Sequence, residues 1–74
     1  MFETHAFILP TPEILATWNK GVVVSDRDLK CLVQFFDAMK SGSERLGDKY
    51  SIATMAFRAD YDRAARMLAA RSEQ

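Results

Sequence analysis

The stretch SDRDLKCLVQFFDAM, residues 25–39, decides the fold expected for this chain. Ser25 is a preferred N-cap residue, and Asp28 follows three positions later, as in a capping box. Val24 and Leu29, on either side of this cap, have the spacing of a hydrophobic staple. Because these local signals agree, we predict that a helix begins directly after Ser25.

This predicted helix carries more apolar surface than one neighbour can cover. At about 100° per residue, its apolar side chains form two stripes: Leu29, Leu32, Val33, Phe36 and Met39 in the first, and Cys31, Phe35 and Ala38 in the second. A surface helix needs an apolar arc of a little more than about 100°, whereas the two stripes together span roughly 220°. The helix is therefore expected to be covered from two directions.

Ahead of this helix, the sequence predicts an extended arm over residues 1–11 and a short helix over residues 12–20. The two prolines of the chain prevent a helix from running through the arm. Thr11 is a suitable N-cap for a helix with Pro12 at its first position, and Gly21 is a typical residue after a last turn. A short helix with well-defined ends follows from these three residues.

Two segments allow more than one interpretation. The three valines at 22–24 are expected to be an extended connector, and a short strand paired with residues 6–9 is the alternative. The apolar stripe that begins at Leu29 continues in register past Gly42, which favours one long helix over residues 26–46. A stop near Lys40 is the alternative, because a glycine in a helix costs about 1 kcal/mol relative to alanine.

A third helix is predicted over residues 49–71, after a stop at Gly47 and an N-cap at Asp48. Its apolar stripe consists of Tyr50, Phe57, Tyr61, Ala64 and Leu68. Asp62 and Arg66 have the favourable acid-first order of an i, i+4 ion pair. The expected fold is therefore all-α: an antiparallel hairpin of two long helices, with a short N-terminal helix and an extended N-terminal arm.

The composition indicates one small, soluble domain. The chain has 74 residues, of which 49% are hydrophobic and 27% charged, a balance that argues against disorder. Ten basic and ten acidic residues give a formal net charge of zero, whereas general nucleic-acid or acidic-membrane binders usually have a basic excess. No apolar run reaches the length of a membrane span, and residues 1–12 lack the basic start of a signal peptide. With Cys31 as the single cysteine, we expect a reduced thiol and a cytoplasmic protein.

The sequence contains few combinations of residues that could form a catalytic site. His5 is the single histidine, so a metal cage or a Cys/His nucleophile pair would need Cys31 beside it. Asp60 and Asp62 diverge by about 160° on a helix and do not form a carboxylate pair. The three glycines are isolated and form no phosphate-binding loop. We therefore expect no enzyme activity, no metal and no cofactor.

The second apolar stripe is the strongest indication of an interface. Cys31, Phe35 and Ala38 need a cover, which either the N-terminal segment with Trp18 or a second copy of the chain supplies. We favour the second copy, a homodimer in which two hairpins form a four-helix bundle. A separate partner-binding face is expected on the last helix, with arginines beside apolar side chains as interfaces favour: Ile52, Met55, Arg58, Arg63 and Arg66.

The sequence thus predicts a small regulatory or adaptor protein that binds another protein, for example as an inhibitor. A small dimeric DNA-binding regulator is the alternative, because Arg58, Arg63, Arg66 and Arg71 make the last helix basic. A structural subunit of a larger assembly is the third possibility.

Overall fold

In the computed structural model, residues 9–72 are described and form three α-helices. The helices span Pro12–Asn19 (α1), Asp26–Leu46 (α2) and Ser51–Ser72 (α3), with a 3-10 turn at Asp48–Tyr50. Because these described residues contain no strand, the predicted all-α class is confirmed for this part of the chain. Most of the predicted arm, His5 and most of the strand partner at residues 6–9 lie outside the described range.

Residues next to both ends of α1 cap the helix with hydrogen bonds. The Thr11 side chain accepts a hydrogen bond from the N–H of Ile14 at 3.2 Å, which confirms the predicted N-cap. At the other end, the N–H of Gly21 donates to the Trp18 carbonyl and the N–H of Val22 to the Thr17 carbonyl. This pair of bonds is a Schellman motif, which requires the left-handed backbone of Gly21, with φ +80°.

Helix α2 begins at the predicted cap and continues through Gly42. The Ser25 side chain accepts a hydrogen bond from the N–H of Asp28 at 3.1 Å, so the predicted N-cap is confirmed. Val24 and Leu29, the predicted staple, are both buried. The helix ends at Leu46, and the longer of the two interpretations of the Gly42 region is the one observed.

Gly47 separates α2 from the 3-10 turn. Its backbone has φ +93° and ψ −170°, a region that is essentially restricted to glycine. The prediction of Asp48 as an N-cap is wrong, because Asp48 lies inside the 3-10 turn, which has no side-chain cap hydrogen bond. The N–H of Tyr50 donates to the Gly47 carbonyl at 3.0 Å, so the backbone alone closes this turn.

Helix α3 runs back along α2, and polar contacts connect the two helices at both ends. Near the 3-10 turn, the Thr54 hydroxyl donates to the Ser43 hydroxyl at 2.7 Å. At the far end, Arg71 of α3 forms an ion pair with Asp26 at 2.8 Å. The two long helices are therefore in contact near both of their ends.

The core lies in the half of α2 and α3 that is far from the 3-10 turn. Its buried apolar residues are Trp18, Val24, Leu29, Leu32, Phe36 and Ala64. Met39 and Leu46, which continue the first stripe, are 37% and 64% exposed. The stripe therefore leaves the core beyond Phe36, because α1 is too short to cover both halves of the long helices.

Two glycine substitutions with opposite expected effects on stability test whether α2 is continuous through Gly42 and whether the backbone at Gly47 requires glycine. Gly42→Ala should raise the free energy of unfolding by about 1 kcal/mol, because alanine favours a helix interior and an added Cβ meets no atom within 4 Å. Gly47→Ala should lower it by about 1–3 kcal/mol, because its backbone conformation is strained for any residue with a Cβ. Urea denaturation followed by circular dichroism measures both values, and a destabilised Gly42→Ala variant would contradict a continuous α2.

Candidate binding surfaces

Trp18 is the side chain that fixes α1 to the long helices. It is 1% exposed and is the single buried residue within α1. Its ring centroid lies 5.7 Å from that of Phe36 on α2. Its indole N–H donates to the Asp60 carboxylate on α3 at 3.4 Å. Trp18, predicted for the interface or the core, thus belongs to the core of its own chain.

Arg63 of α3 contacts Trp18 in two ways. Its guanidinium carbon lies 3.9 Å from the centroid of the Trp18 ring, which is the geometry of a cation–π interaction. Its Nη2 also donates to the Trp18 carbonyl at 3.2 Å. This carbonyl lies in the last turn of α1, where the helix dipole favours a positive charge. Arg63 therefore holds the last turn of α1 against α3, a contact that the sequence pattern did not indicate.

The second stripe is split between two environments. Cys31 and Phe35 are partly buried, and the Phe35 ring centroid lies 5.4 Å from that of Phe36 in the core. Ala38, one turn further on, is exposed. On the other side of Cys31, a cleft of about 490 Å³ is shared with Ile14 of α1. The N-terminal segment thus lies beside Cys31 and leaves Ala38 exposed, and the homodimer stays a prediction.

The thiol of Cys31 lies in an environment that disfavours its ionised form. Burial raises the pKa of the Cys31 thiol above its ordinary value, and the Asp28 carboxylate adds to this shift. The positive charge of Arg27 opposes the shift in part. The thiol is therefore protonated and weakly nucleophilic at neutral pH.

The five residues predicted as a partner-binding face do not all lie on one surface. Ile52 and Met55 are 83% and 69% exposed. Arg63 and Arg66 lie within about 80° of them on the same side of α3. Arg58 lies about 120° from Ile52 and forms an ion pair with Glu44 of α2 at 2.8 Å. Arg58 therefore lies at the edge of this face, about 60° from Met55 and towards α2, and the partner-binding role of the five residues stays a prediction.

Arg66 does not form the ion pair with Asp62 that the sequence predicts. Its Nε donates to the backbone carbonyl of Asp62 at 3.3 Å, and no ion pair with the Asp62 carboxylate is present. The backbone carbonyl of residue i−4 is within reach of a long side chain on the same helix, so it replaces the carboxylate as the acceptor. Arg66 is exposed on the same side of α3 as Ile52 and Met55, about 16 Å along the helix from Met55.

The structure also contains an apolar groove that the sequence did not predict. It lies between the second half of α2 and the start of α3, has a volume of about 480 Å³ and is termed here the α2–α3 groove. Its lining residues are Ala38, Met39, Gly42, Ser43, Arg45, Leu46, Tyr50, Ala53 and Phe57. One signal could have revealed it, because the spacing of Cys31, Phe35 and Ala38 continues to Gly42 in alternating steps of four and three.

Within residues 9–72, no group of three or more side chains is arranged to hold a metal ion. In the same range, no helix combines the length and the apolar character needed to cross a membrane. The chain matches no protein-family model, no curated protein and no solved structure. A function is therefore inferred from the surfaces of the molecule.

Removal of the Arg63 side chain should loosen α1. For Arg63→Ala we expect a red shift of the fluorescence of Trp18, the single tryptophan, and a loss of about 1 kcal/mol of stability, the usual size of one cation–π contact. Arg66→Ala is the matched control, because Arg66 contacts its own helix, and it should change stability by less than about 0.5 kcal/mol. Equal effects of the two variants on the fluorescence would show that Arg63 does not hold Trp18.

The raised pKa of Cys31 predicts slow alkylation. Between about pH 7 and 10, where a free thiol ionises, the rate of reaction with iodoacetamide should rise with pH. Its midpoint should lie above that of a cysteine in a short peptide, because less thiolate is present at each pH. The same measurement in urea should restore the peptide-like midpoint, and a midpoint below the peptide value in the folded protein would refute the assignment.

Proposed function

We propose that this protein is a small regulatory or adaptor protein without enzyme activity, which binds another protein through its helices. The observation that carries this proposal is a set of large apolar side chains left exposed where α2 meets α3: Leu46, Tyr50, Ile52 and Met55. Large exposed apolar patches on soluble proteins commonly mark interaction sites. Because these side chains are grouped at one end of the molecule, they favour a binding surface there.

In this proposal, α2 and α3 act as an antiparallel helical hairpin that α1 stiffens through Trp18. The polar contacts at both ends of α2 and α3 support this arrangement. A rigid pair of helices presents its exposed side chains in a fixed geometry, which lowers the entropy lost when a partner binds. The half-buried thiol of Cys31 fits a reducing cytoplasm, where we place the protein.

The outer face of α3 offers a second part of the binding surface. Beyond Ile52 and Met55, this side of α3 carries Arg66, which is exposed, and Arg63 at its edge. Arginine, methionine and large apolar side chains are frequent in protein interfaces. This face adjoins the exposed side chains at the 3-10 turn, so one partner could contact both.

The contacts of the arginines favour a protein partner over DNA. Arg58 and Arg71 form ion pairs with Glu44 and Asp26, and Arg63 lies on Trp18. A DNA-binding surface needs arginines and lysines free to contact phosphates. With Arg66 bound to the Asp62 carbonyl, all four arginines that suggested DNA binding thus have acceptors within the chain.

Site-directed photo-crosslinking in the native host tests the proposal. A benzoylphenylalanine at position 52 should form a covalent adduct with one or two host proteins, because Ile52 is 83% exposed. The matched control places the same residue at Asp37, whose side chain is 57% exposed on α2, and should give no such adduct. Mass spectrometry identifies the adducts.

Three results would count against the proposal. Equal adducts from the two positions would indicate nonspecific capture, and the absence of adducts from position 52 would remove the predicted surface. An adduct between two copies of the chain would point to a homodimer. A titration with duplex DNA at low salt completes the experiment, because tight binding that weakens steeply with salt would favour the DNA-binding alternative.

A further inference from the structure

The three helices differ greatly in length, and this mismatch leaves a space beside the hairpin. Helix α1 has 8 residues, whereas α2 and α3 have 21 and 22. At 1.5 Å per residue, α1 is about 12 Å long and its neighbours are about 32 Å long. Helix α1 therefore covers less than half of the length of α2 and α3, namely the half that contains the buried core.

The α2–α3 groove lies on the same side of the hairpin as α1. Ala38, which lines the groove, is seven residues after Cys31, which lines a cleft with Ile14 of α1. Ala53, also in the groove, is seven residues before Asp60, which accepts a hydrogen bond from Trp18. Seven residues return to the same face of a helix within about 20°. The groove thus lies on the side of α2 and α3 that α1 contacts, nearer to the 3-10 turn.

The size and lining of the groove suit a helix. From Ala38 to Leu46, α2 offers nine residues, or about 13 Å, which corresponds to between two and three helical turns. The lining includes the small residues Ala38, Gly42 and Ala53, which allow another backbone to approach closely. Larger apolar side chains, Met39 and Phe57 among them, can pack between the apolar residues of an amphipathic helix.

The polar groups of the groove indicate the charge of its occupant. Arg45 is the single charged residue among the described lining residues, and it forms no ion pair in the described part of the chain. The Ser43 hydroxyl is already engaged, since it accepts from Thr54 at 2.7 Å and donates to the Lys40 carbonyl at 3.0 Å. Asp48 belongs to a different pocket. A carboxylate on the occupant would therefore meet one unpaired positive charge.

We propose that the α2–α3 groove binds one amphipathic helix of another protein, with apolar side chains in the groove and a carboxylate beside Arg45. This inference rests on the proposed function and adds the binding site and the chemistry of the partner. A second copy of the chain is the alternative occupant, and the oligomeric state in solution distinguishes it from a separate partner protein.

Gly42 offers a variant that fills the groove without breaking the helix. Gly42→Leu adds a large side chain where a Cβ meets no atom of the chain within 4 Å, and leucine has a higher helix propensity than glycine. Gly42→Ala is the matched control, because it gains helix propensity and adds one methyl group. Circular dichroism and thermal unfolding should show both variants folded and no less stable than the original chain.

The experiment selects peptides from a display library of helix-forming sequences with the full chain as bait. The selected peptides should be amphipathic and should carry Asp or Glu at a constant distance from their apolar residues. By fluorescence anisotropy, Gly42→Leu should weaken their binding at least about tenfold, and Gly42→Ala should leave it within about twofold. Arg45→Glu should weaken the acidic peptides and strengthen variants in which lysine replaces the acid.

Several outcomes would overturn the inference. Peptides that bind Gly42→Leu as well as the original chain, or that are indifferent to Arg45→Glu, would place binding elsewhere, and so would the absence of any peptide enriched over a Gly42→Leu bait. A dimer by light scattering that Gly42→Leu dissociates would make a second copy the occupant. If a host protein crosslinks at position 52 and Gly42→Leu does not reduce that adduct, the proposed function stands and this inference fails.

Discussion

The packing of Trp18 against Phe36 is the contact on which the rest of this small structure depends. Trp18 is the single buried side chain of α1, and the core it joins holds six buried apolar residues among those described. Removing a buried tryptophan typically costs about 3–5 kcal/mol. A core in a chain of this size rarely supplies more than that amount in total. The side chain that anchors α1 is therefore also a large part of the core that α2 and α3 share.

The same contact explains where apolar surface stays exposed. Since α1 is anchored at Trp18, its few turns cover only the half of α2 that contains Leu29, Leu32 and Phe36. Beyond that half, only α2 and α3 pack together, whereas α1 packs against them in the covered half. Leu46 and Tyr50 are exposed for this reason, although they lie on apolar stripes whose other members, apart from Met39, are buried or partly buried. Stability and the proposed binding surface thus occupy opposite ends of the same pair of helices.

Local sequence signals predicted the N-caps of α1 and α2, whereas the cap predicted at Asp48 is wrong. The caps at Thr11 and Ser25 depend on residues within three positions of them, so their hydrogen bonds could be foreseen. The side chains that depend on where α1 lies could not be foreseen. Arg63 looked like a solvated or partner-binding arginine, because nothing within its own helix indicates that the end of α1 lies beside it. The exposure of Met39 has the same origin, since its position in the stripe does not reveal how far α1 extends.

The fold does not require a glycine at position 42, whereas the depth of the α2–α3 groove depends on it. Its backbone conformation does not require glycine, since the positive φ angles among the described residues belong to Gly21 and Gly47. Internal packing does not require it either, because a Cβ there would meet no atom of the chain within 4 Å. In a helix interior the glycine costs about 1 kcal/mol relative to alanine. The one feature that the missing side chain does change is the depth of the α2–α3 groove, where it leaves room for the backbone of another helix to approach α2.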